Sequence, residues 1–297
     1  MIAIRRATPV DLLLLIGTMA IWGLAFVAMK IAVPEVGPYW VATARTGFGL
    51  LSLLPFCLWR GFQWPRGGRQ WQLVLVLVAF NSTIPIILIA WAQLSLSAGV
   101  AALLMGTGPF IALFVGHFAT TDERFSTLRL LAVMMGFSGV ISVVGLEPLA
   151  KLDIGLILAE GALILAASMY VVAGYTIRRV DMQPLSLATL SLALATLVLA
   201  PVSLFLGGPF PSDVSARAFT WLVFAGVLGT GFGFVMRYYL ITRIGYSMFS
   251  IGVNLIPVFG VIFGALILAE AVTPEILLAL LLIVGGLFVA RLAGKGS

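Results

Sequence analysis

The sequence predicts an all-α integral membrane protein in which ten transmembrane helices form two inverted five-helix repeats. Three observations support this fold class. Of the 297 residues, 62% are apolar and only 9% are charged, whereas soluble domains carry about 25% charged residues. Apolar runs as long as a membrane span, about 20 residues, follow one another along the whole chain. Features of the first half also recur in the second half, 147 or 148 positions later.

The composition excludes several classes of protein. A mean hydropathy of +1.17 leaves too few polar residues to cover a soluble globule, and disorder requires low hydrophobicity. The single cysteine, Cys57, cannot form an internal disulfide, and the single histidine, His117, cannot build a multi-histidine metal site. We expect no metal and no cofactor. The basic residues behind the net charge of +6 lie mainly in loops, which indicates membrane topology rather than nucleic-acid binding.

Ten apolar runs, separated by turn residues or charges, are the predicted spans. In chain order they are Asp11–Val33, Gly37–Trp59, Trp71–Ala92, Ser97–Ala119, Ser126–Gly145, Asp153–Ile177, Pro184–Leu206, Ala216–Leu240, Ser247–Ala269 and Pro274–Leu292. The first run is too long for the core of a signal peptide and no small-residue cleavage site follows it, so we expect it to be retained. The ten runs leave room for short loops and tails but for no sizeable soluble domain.

The distribution of lysine and arginine predicts the orientation of the chain. If the N-terminus is cytoplasmic, the inside segments hold twelve basic residues and the outside loops hold only Lys151 and Arg217. The twelve are Arg5, Arg6, Arg60, Arg66, Arg69, Arg124, Arg129, Arg178, Arg179, Arg243, Arg291 and Lys295. We therefore expect a multi-pass protein of the cell (inner) membrane with both termini in the cytoplasm.

Matches between the two halves predict an internal repeat, with one repeat in residues 1–147 and the other in residues 148–297. The aligned pairs include Trp22 with Tyr170, Trp91 with Tyr239, Pro109 with Pro257 and Gly116 with Gly264. Because each half has five spans, an odd number, the second half must be inverted relative to the first. Inverted repeats are typical of secondary transporters.

Several short sequences point to a known family. Helix 1 contains IWGLAFV at 21–27, helix 4 contains GPFIALF at 108–114, and helix 9 contains NLIPVFG at 254–260, while Glu123 and Glu270 follow helices 4 and 9. The pattern resembles the EamA-type exporters of the drug/metabolite transporter superfamily. The resemblance implies ten helices, an inverted repeat and a central cavity lined mainly by helices 1, 3, 4, 6, 8 and 9. Well-understood relatives export amino acids, and other branches carry sugars, nucleotide sugars or phosphorylated metabolites.

Polar and aromatic residues inside the spans are the candidate substrate contacts, because polar groups are costly to bury in hydrocarbon. The candidates are Trp22, Asn81, Trp91, Tyr170, Arg237, Tyr239 and Asn254. Each has a structural alternative. The asparagines could bond a neighbouring helix, Trp91 and Tyr239 could belong to the interfacial aromatic belt, and Arg237 could snorkel to the surface. Trp22 and Tyr170 lie too deep for the belt, which leaves cavity walls or lipid-facing packing.

Residues that weaken a helix are the candidate hinges. They are Pro109, Pro257, Gly229, Gly231 and Gly233. A proline inside a helix removes a backbone hydrogen bond, and alternate glycines make a helix pliable. A static kink and close helix packing are the alternatives. We also consider an ion pair between two charges inside the spans, Arg45 and Glu160.

The function predicted from these features is secondary transport that exports small organic metabolites, with amino acids as the first choice, by alternating access around a midplane cavity. Efflux of drugs or cationic amphiphiles is the alternative. The sequence contains no constellation typical of an enzyme and one clear intramembrane acid, Glu160, too few for an ion channel. Helices 4 and 9 contain no lysine or arginine, which disfavours phosphorylated cargo. The expected partners are a small-molecule substrate and the lipid bilayer, with no nucleic acid, and the protein can be a monomer.

Overall fold

The computed structural model describes residues 8–108, 110–111, 127–144, 153–245, 249 and 252–293. Within these residues all regular structure is helical, so the predicted all-α class is confirmed. The described helices are α1 Pro9–Val36, α2 Pro38–Arg60, α3 Gly68–Ala92, α4 Ala98–Met105, α5 Thr127–Val144, α6 Ile154–Ile177, α7 Pro184–Gly207, α8 Ala216–Ile244, α9 Leu255–Leu268 and α10 Pro274–Ala293. In these described ranges, six helices are long and apolar enough to cross a membrane, namely α1, α2, α3, α6, α7 and α8.

Short polar side chains cap the starts of α1, α4, α6 and α8. At α1, Thr8 and Asp11 form a capping box, in which the backbone N–H of Thr8 donates to the Asp11 carboxylate at 2.9 Å and Pro9 occupies the first helical position. Helix α1 ends at Gly37, whose φ of 79° lies in the left-handed region that favours glycine, and Pro38 begins α2 at once. A Gly-Pro pair thus turns the chain between two long helices without a loop.

Two helices contain a π-helical segment, 78–83 in α3 and 225–232 in α8. In α3 the cause lies at Pro85, which has no N–H to return to the carbonyl of Asn81, and the N–H of Ile84 bonds the Ala79 carbonyl five residues back. The segment in α8 contains three glycines. The first residues of α3 and α8, Gly68 and Ala216, are 148 positions apart, so the two π-helical segments lie at equivalent places.

Helices of one half pack on helices of the other. Helix α1 packs on α9, and α6 packs on α4. Helix α2 packs on the π-helical segment of α8, and α7 packs on that of α3. Helices α5 and α10 pack on each other. The buried apolar side chains form a large cluster drawn from both halves and a smaller one made of Leu103, Phe110, Val261, Ala279 and Ile283.

Small residues allow the closest of these approaches. A Cβ at Gly49 in α2 would lie 3.1 Å from the carbonyl oxygen of Gly226 and 3.1 Å from the nitrogen of Gly231, both in α8. A Cβ at Gly260 in α9 would overlap the side chain of Ala102 in α4. Small residues at helix contacts are typical of membrane proteins, in which packing rather than exclusion from water joins the helices.

Candidate functional site

A cavity lies between the two halves. Helices α1, α2, α3, α4, α6, α8 and α9 contribute to its wall, together with residues just outside α4 and α9. The space open to the centre of a water molecule is about 90 Å³. A single water needs about 10–15 Å³ on this scale, so the cavity can hold several waters or one small solute. All six helices expected from the family resemblance contribute, and α2 adds Arg45.

The wall is built from equivalent positions of the two halves. Four pairs of lining residues are 148 positions apart, namely Trp22 with Tyr170, Ile89 with Arg237, Met105 with Val253 and Gly108 with Ile256. Residues 148 positions apart in the chain thus lie around one space.

Helices α4 and α9 are interrupted beside the cavity. Helix α4 stops at Met105 and helical geometry resumes at Gly108. Before α9, the chain makes a turn at Asn254, which is 148 positions after Gly106. The turn lies three residues before Pro257, whose missing N–H frees the carbonyl of Val253. Broken helices of this kind form the binding sites of many transporters.

The two predicted aromatic residues Trp22 and Tyr170 both line the cavity. The indole Nε1 of Trp22 donates to the carbonyl of Gly229 at 2.8 Å, and its ring meets Phe249 edge-on with centroids 6.1 Å apart. The Tyr170 hydroxyl has no hydrogen-bond partner among the described residues. The Trp22 ring is thus held through its polar atom, whereas the Tyr170 hydroxyl bonds no described residue.

Arg237 also lines the cavity and is buried. Its Nη2 donates to the backbone carbonyl of Tyr170 at 2.8 Å. Its guanidinium carbon lies 5.3 Å from the ring centroid of Tyr170 and 5.6 Å from that of Phe249. These distances are typical of cation–π contacts. Arg237 is therefore a fixed part of the cavity wall, and the snorkelling alternative does not describe it.

Arg45 is a cavity residue that was not among the substrate candidates. It is 6% exposed, its Nε donates to Thr230 Oγ1 at 3.1 Å, and its Nη1 contacts Met29 Sδ. The sequence raised an ion pair with Glu160, but the structure shows no such pair between these two described residues. Its position in a span was the signal in the sequence, and its partners on α1 and α8 were not visible there.

The other four substrate candidates are not among the lining residues of the described cavity. Asn81 is fully buried and its Nδ2 donates to Tyr238 Oη at 3.1 Å, so it bonds a neighbouring helix. Trp91 is 36% exposed at the end of α3. Tyr239 lies under the guanidinium of Arg243, 5.1 Å from its ring centroid. Asn254 is 6% exposed, and its side-chain amide has no hydrogen-bond partner among the residues that the structure describes.

The candidate hinges occupy packed positions. Gly229 and Gly231 lie in the π-helical segment of α8 and Gly233 follows it, where a Cβ would meet Ala25, Ser52 and Trp22 respectively. Pro257 is buried in the first turn of α9. Pro109 lies outside the described residues. The glycines therefore allow α8 to approach α1 and α2 closely, and their role as hinges remains a prediction.

Polar contacts join helices at both ends of α1. Near its start, Asp11 forms an ion pair with Arg243 at 2.8 Å. Near its other end, Lys30 Nζ donates to the carbonyl of Gln93 at 2.9 Å. Next to that contact, Glu270 accepts the backbone N–H groups of Ala98 and Gly99 at 2.7 and 2.9 Å, which caps α4. Along α1, the cavity-lining residues Trp22 to Met29 lie between Asp11 and Lys30.

Comparison with known proteins decides the family. Residues 10–145 and residues 153–292 each match the EamA-like transporter family. The chain belongs to this family. The EamA-like transporter is 23% identical over 279 residues to the uncharacterized transporter YoaV of Bacillus subtilis, which covers 92% of this chain and 94% of that protein.

Other relatives of this EamA-like transporter are equally distant. An uncharacterized transporter of Archaeoglobus fulgidus is 26% identical over 87% of this chain and 89% of its own. A chloroplastic WAT1-related protein of Arabidopsis thaliana is 22% identical over 89% of this chain and 65% of its own. One crystal structure superposes with a TM-score of 0.72 at 17% identity, over 98% of this chain and 100% of that one, a likeness that concerns the fold alone.

Family membership, together with the apolar helices, makes this chain a multi-pass membrane transporter whose substrate is a small molecule. A transporter family is consistent with the expectation that the protein is not an enzyme. In the described part of the chain, no group of three or more His, Cys, Asp or Glu side chains could hold a metal ion.

Proposed function

We propose that this EamA-like transporter exports small organic metabolites, above all amino acids, by alternating access around the central cavity. One observation carries the proposal: four pairs of lining residues, such as Trp22 with Tyr170, come from equivalent positions of the two halves. A site built in this way changes its exposure when one half rocks against the other. The sequence offers no nucleotide-binding motif, so the proposed driving force is a gradient.

The proposed architecture is ten spans in two inverted repeats, residues 1–147 and 148–297. Two family matches, one in each half, support it. So do the π-helical segments in α3 and α8 and the interruptions at Gly106 and Asn254, which recur at an offset of 148. The proposed orientation in the cell (inner) membrane, with both termini cytoplasmic, rests on the twelve-to-two distribution of basic residues. Because one chain supplies the whole cavity, a monomer suffices.

The wall of the cavity favours amino acids over cationic drugs. Arg45 and Arg237 both line it, and its described lining residues include no Asp or Glu. Two positive charges without a carboxylate repel a cationic solute and attract the carboxylate of an amino acid. Trp22, Tyr170 and Phe249 offer aromatic surface to an apolar side chain. The two arginines come from α2 and α8, whereas α4 and α9, on which the expectation against phosphorylated cargo was based, contain no lysine or arginine.

Counterflow in proteoliposomes tests this function. The full-length protein is reconstituted into proteoliposomes that contain an unlabelled amino acid. Uptake of labelled amino acids, nucleosides and a cationic dye is then measured with and without a proton gradient. We expect amino-acid counterflow that Trp22→Ala lowers at least tenfold, whereas Trp91→Ala, the same change outside the cavity, leaves it within twofold. Counterflow of the dye alone, or of no solute from a correctly folded protein, would contradict the proposal.

A further inference from the structure

Arg45 is a buried cation whose protein partners are poor hydrogen-bond acceptors. It is 6% exposed, yet the group that receives its Nη1 is the thioether of Met29, a weak acceptor. Its Nε donates to the Thr230 hydroxyl, which itself donates to the Ala225 carbonyl at 2.9 Å. A charge removed from water normally requires stronger compensation than this.

The remaining donor of Arg45 points to the source of that compensation. Its Nη2 has no hydrogen-bond partner among the described residues, and Arg45 forms no ion pair with any described Asp or Glu. The side chain lines the cavity that Trp22, Phe26 and Met29 also line. A guanidinium with an unused donor, facing a space large enough for a solute, is a complete recognition element for an oxyanion.

The surroundings hold this guanidinium in place. Helix α2 approaches α8 closely at Gly49, and Thr230 belongs to the π-helical segment that α2 contacts there. The bond from Nε to Thr230 fixes the plane of the group. Of the other donors, Nη1 contacts the weak acceptor Met29 Sδ and Nη2 bonds no described residue, so both are available to an oxyanion. Such preorganisation lowers the cost of binding.

We propose that Arg45 is the residue that binds the anionic group of the transported solute, and that this group is a carboxylate. The proposal deepens the proposed function and rests on it. Both Nη atoms then donate to the two carboxylate oxygens in a bidentate pair, and the body of the solute contacts the ring of Trp22. Arg237, which holds the Tyr170 carbonyl and two rings, shapes the wall and contributes positive potential.

The first experiment compares ligands that differ in the carboxylate alone. Thermal stabilisation of the purified full-length protein is measured with L-phenylalanine, phenylalaninamide and phenethylamine, with L-leucine and its amine, and with O-phosphoserine. We expect the acids to bind at least about tenfold more tightly than the amide and amine, since a hydrogen bond to a charged group contributes about 1.5–3 kcal/mol. Tighter binding of O-phosphoserine than of every carboxylate overturns the assignment of a carboxylate.

Variants of Arg45 connect this preference to one residue. Arg45→Gln is expected to abolish discrimination between acid and amide, and Arg45→Lys to restore part of it. Arg60→Gln is the matched control, because it is the same change on the same helix at an exposed position. An acid preference that survives in Arg45→Gln overturns the inference.

A second measurement needs neither a variant nor transport. Phenylglyoxal modifies arginine, and the rate at which it modifies Arg45 in the native protein is followed by mass spectrometry. We expect L-phenylalanine to slow the modification at least threefold and phenethylamine to leave it unchanged. Equal rates with both ligands overturn the role of Arg45. Transport of solutes without regard to their charge would also overturn the role of Arg45, but it would leave the proposed function intact. Protection of Arg45 from phenylglyoxal without any counterflow would contradict the proposed function alone.

Discussion

The indole Nε1 of Trp22 donates a hydrogen bond of 2.8 Å to the backbone carbonyl of Gly229. This bond joins α1 to the π-helical segment of α8, where a π geometry leaves carbonyls without their usual helical partner. The carbonyl of Ala225 in the same segment is satisfied by Thr230, which in turn receives Arg45. The irregular segment is thus stabilised by the residues that build the cavity wall, so fold and site depend on the same contacts.

Replacement of Trp22 by phenylalanine tests how much that hydrogen bond contributes to the stability of the fold. The variant keeps an aromatic ring but loses the hydrogen bond to the Gly229 carbonyl, so we expect the free energy of unfolding to fall by about 0.5–1.5 kcal/mol. Thermal denaturation in detergent measures the effect. Trp91→Phe is the control, because Trp91 forms no hydrogen bond through its indole in the described structure. Equal losses in the two variants would contradict the role assigned to Nε1.

Gly231→Ala distinguishes a packing glycine from a hinge. A Cβ at Gly231 would lie 2.5 Å from Ser52 Oγ and 3.1 Å from the Gly49 carbonyl oxygen, so α2 and α8 must move apart. We expect the free energy of unfolding to fall by about 1–3 kcal/mol, the usual cost of overpacking, and we expect the thermal midpoint to fall with it. Gly161→Ala in α6 meets no atom within 4 Å and is expected to be neutral or stabilising. A stable Gly231→Ala protein with a slower transport rate would favour the hinge.

Glu270→Gln tests the cap that joins α9 to α4. The carboxylate accepts two backbone N–H groups, at Ala98 and Gly99, whereas an amide can accept only through its oxygen and turns its NH2 group toward the second donor. We expect the free energy of unfolding to fall by about 1–3 kcal/mol. Glu275→Gln, at an exposed position in the next helix, is the control. Unchanged thermal midpoints in both variants would show that the cap contributes nothing.

Of the seven candidate substrate contacts, the structure places three in the cavity wall: the aromatic pair Trp22 and Tyr170, and Arg237. Trp22 and Tyr170 line the cavity, but Trp91 and Tyr239, an equally regular pair, do not. The helices are apolar all round, so no polar face indicates which side of a helix points inward. The offset between the two halves identifies equivalent positions, but it does not show which way the side chains at those positions face.

Polar residues were harder to place because their partners are distant in the sequence. Asn81 bonds Tyr238, which lies 157 positions away in the chain, and Arg45 bonds Thr230, which lies 185 positions away. No local pattern encodes such pairs. The all-α class was predicted from composition and long apolar runs together: 62% of the residues are apolar, and a helix satisfies the backbone hydrogen bonds of a segment in lipid within that segment. Pro257 was predicted as a hinge inside one continuous span, and the turn at Asn254, three residues before it, was not predicted.

Tyr170→Phe separates a wall residue from a solute contact. The Tyr170 hydroxyl has no partner among the described residues, while the ring and the backbone carbonyl hold Arg237 and are retained in phenylalanine. We therefore expect the thermal midpoint to stay within about one degree, because no protein hydrogen bond is lost. If the hydroxyl bonds the solute, we expect KM for amino-acid counterflow to rise about fivefold or more. This is the factor that corresponds to the loss of one hydrogen bond of about 1 kcal/mol. Tyr239→Phe, outside the cavity lining, should leave KM unchanged. A higher KM in Tyr239→Phe than in Tyr170→Phe would place the solute elsewhere than in this cavity.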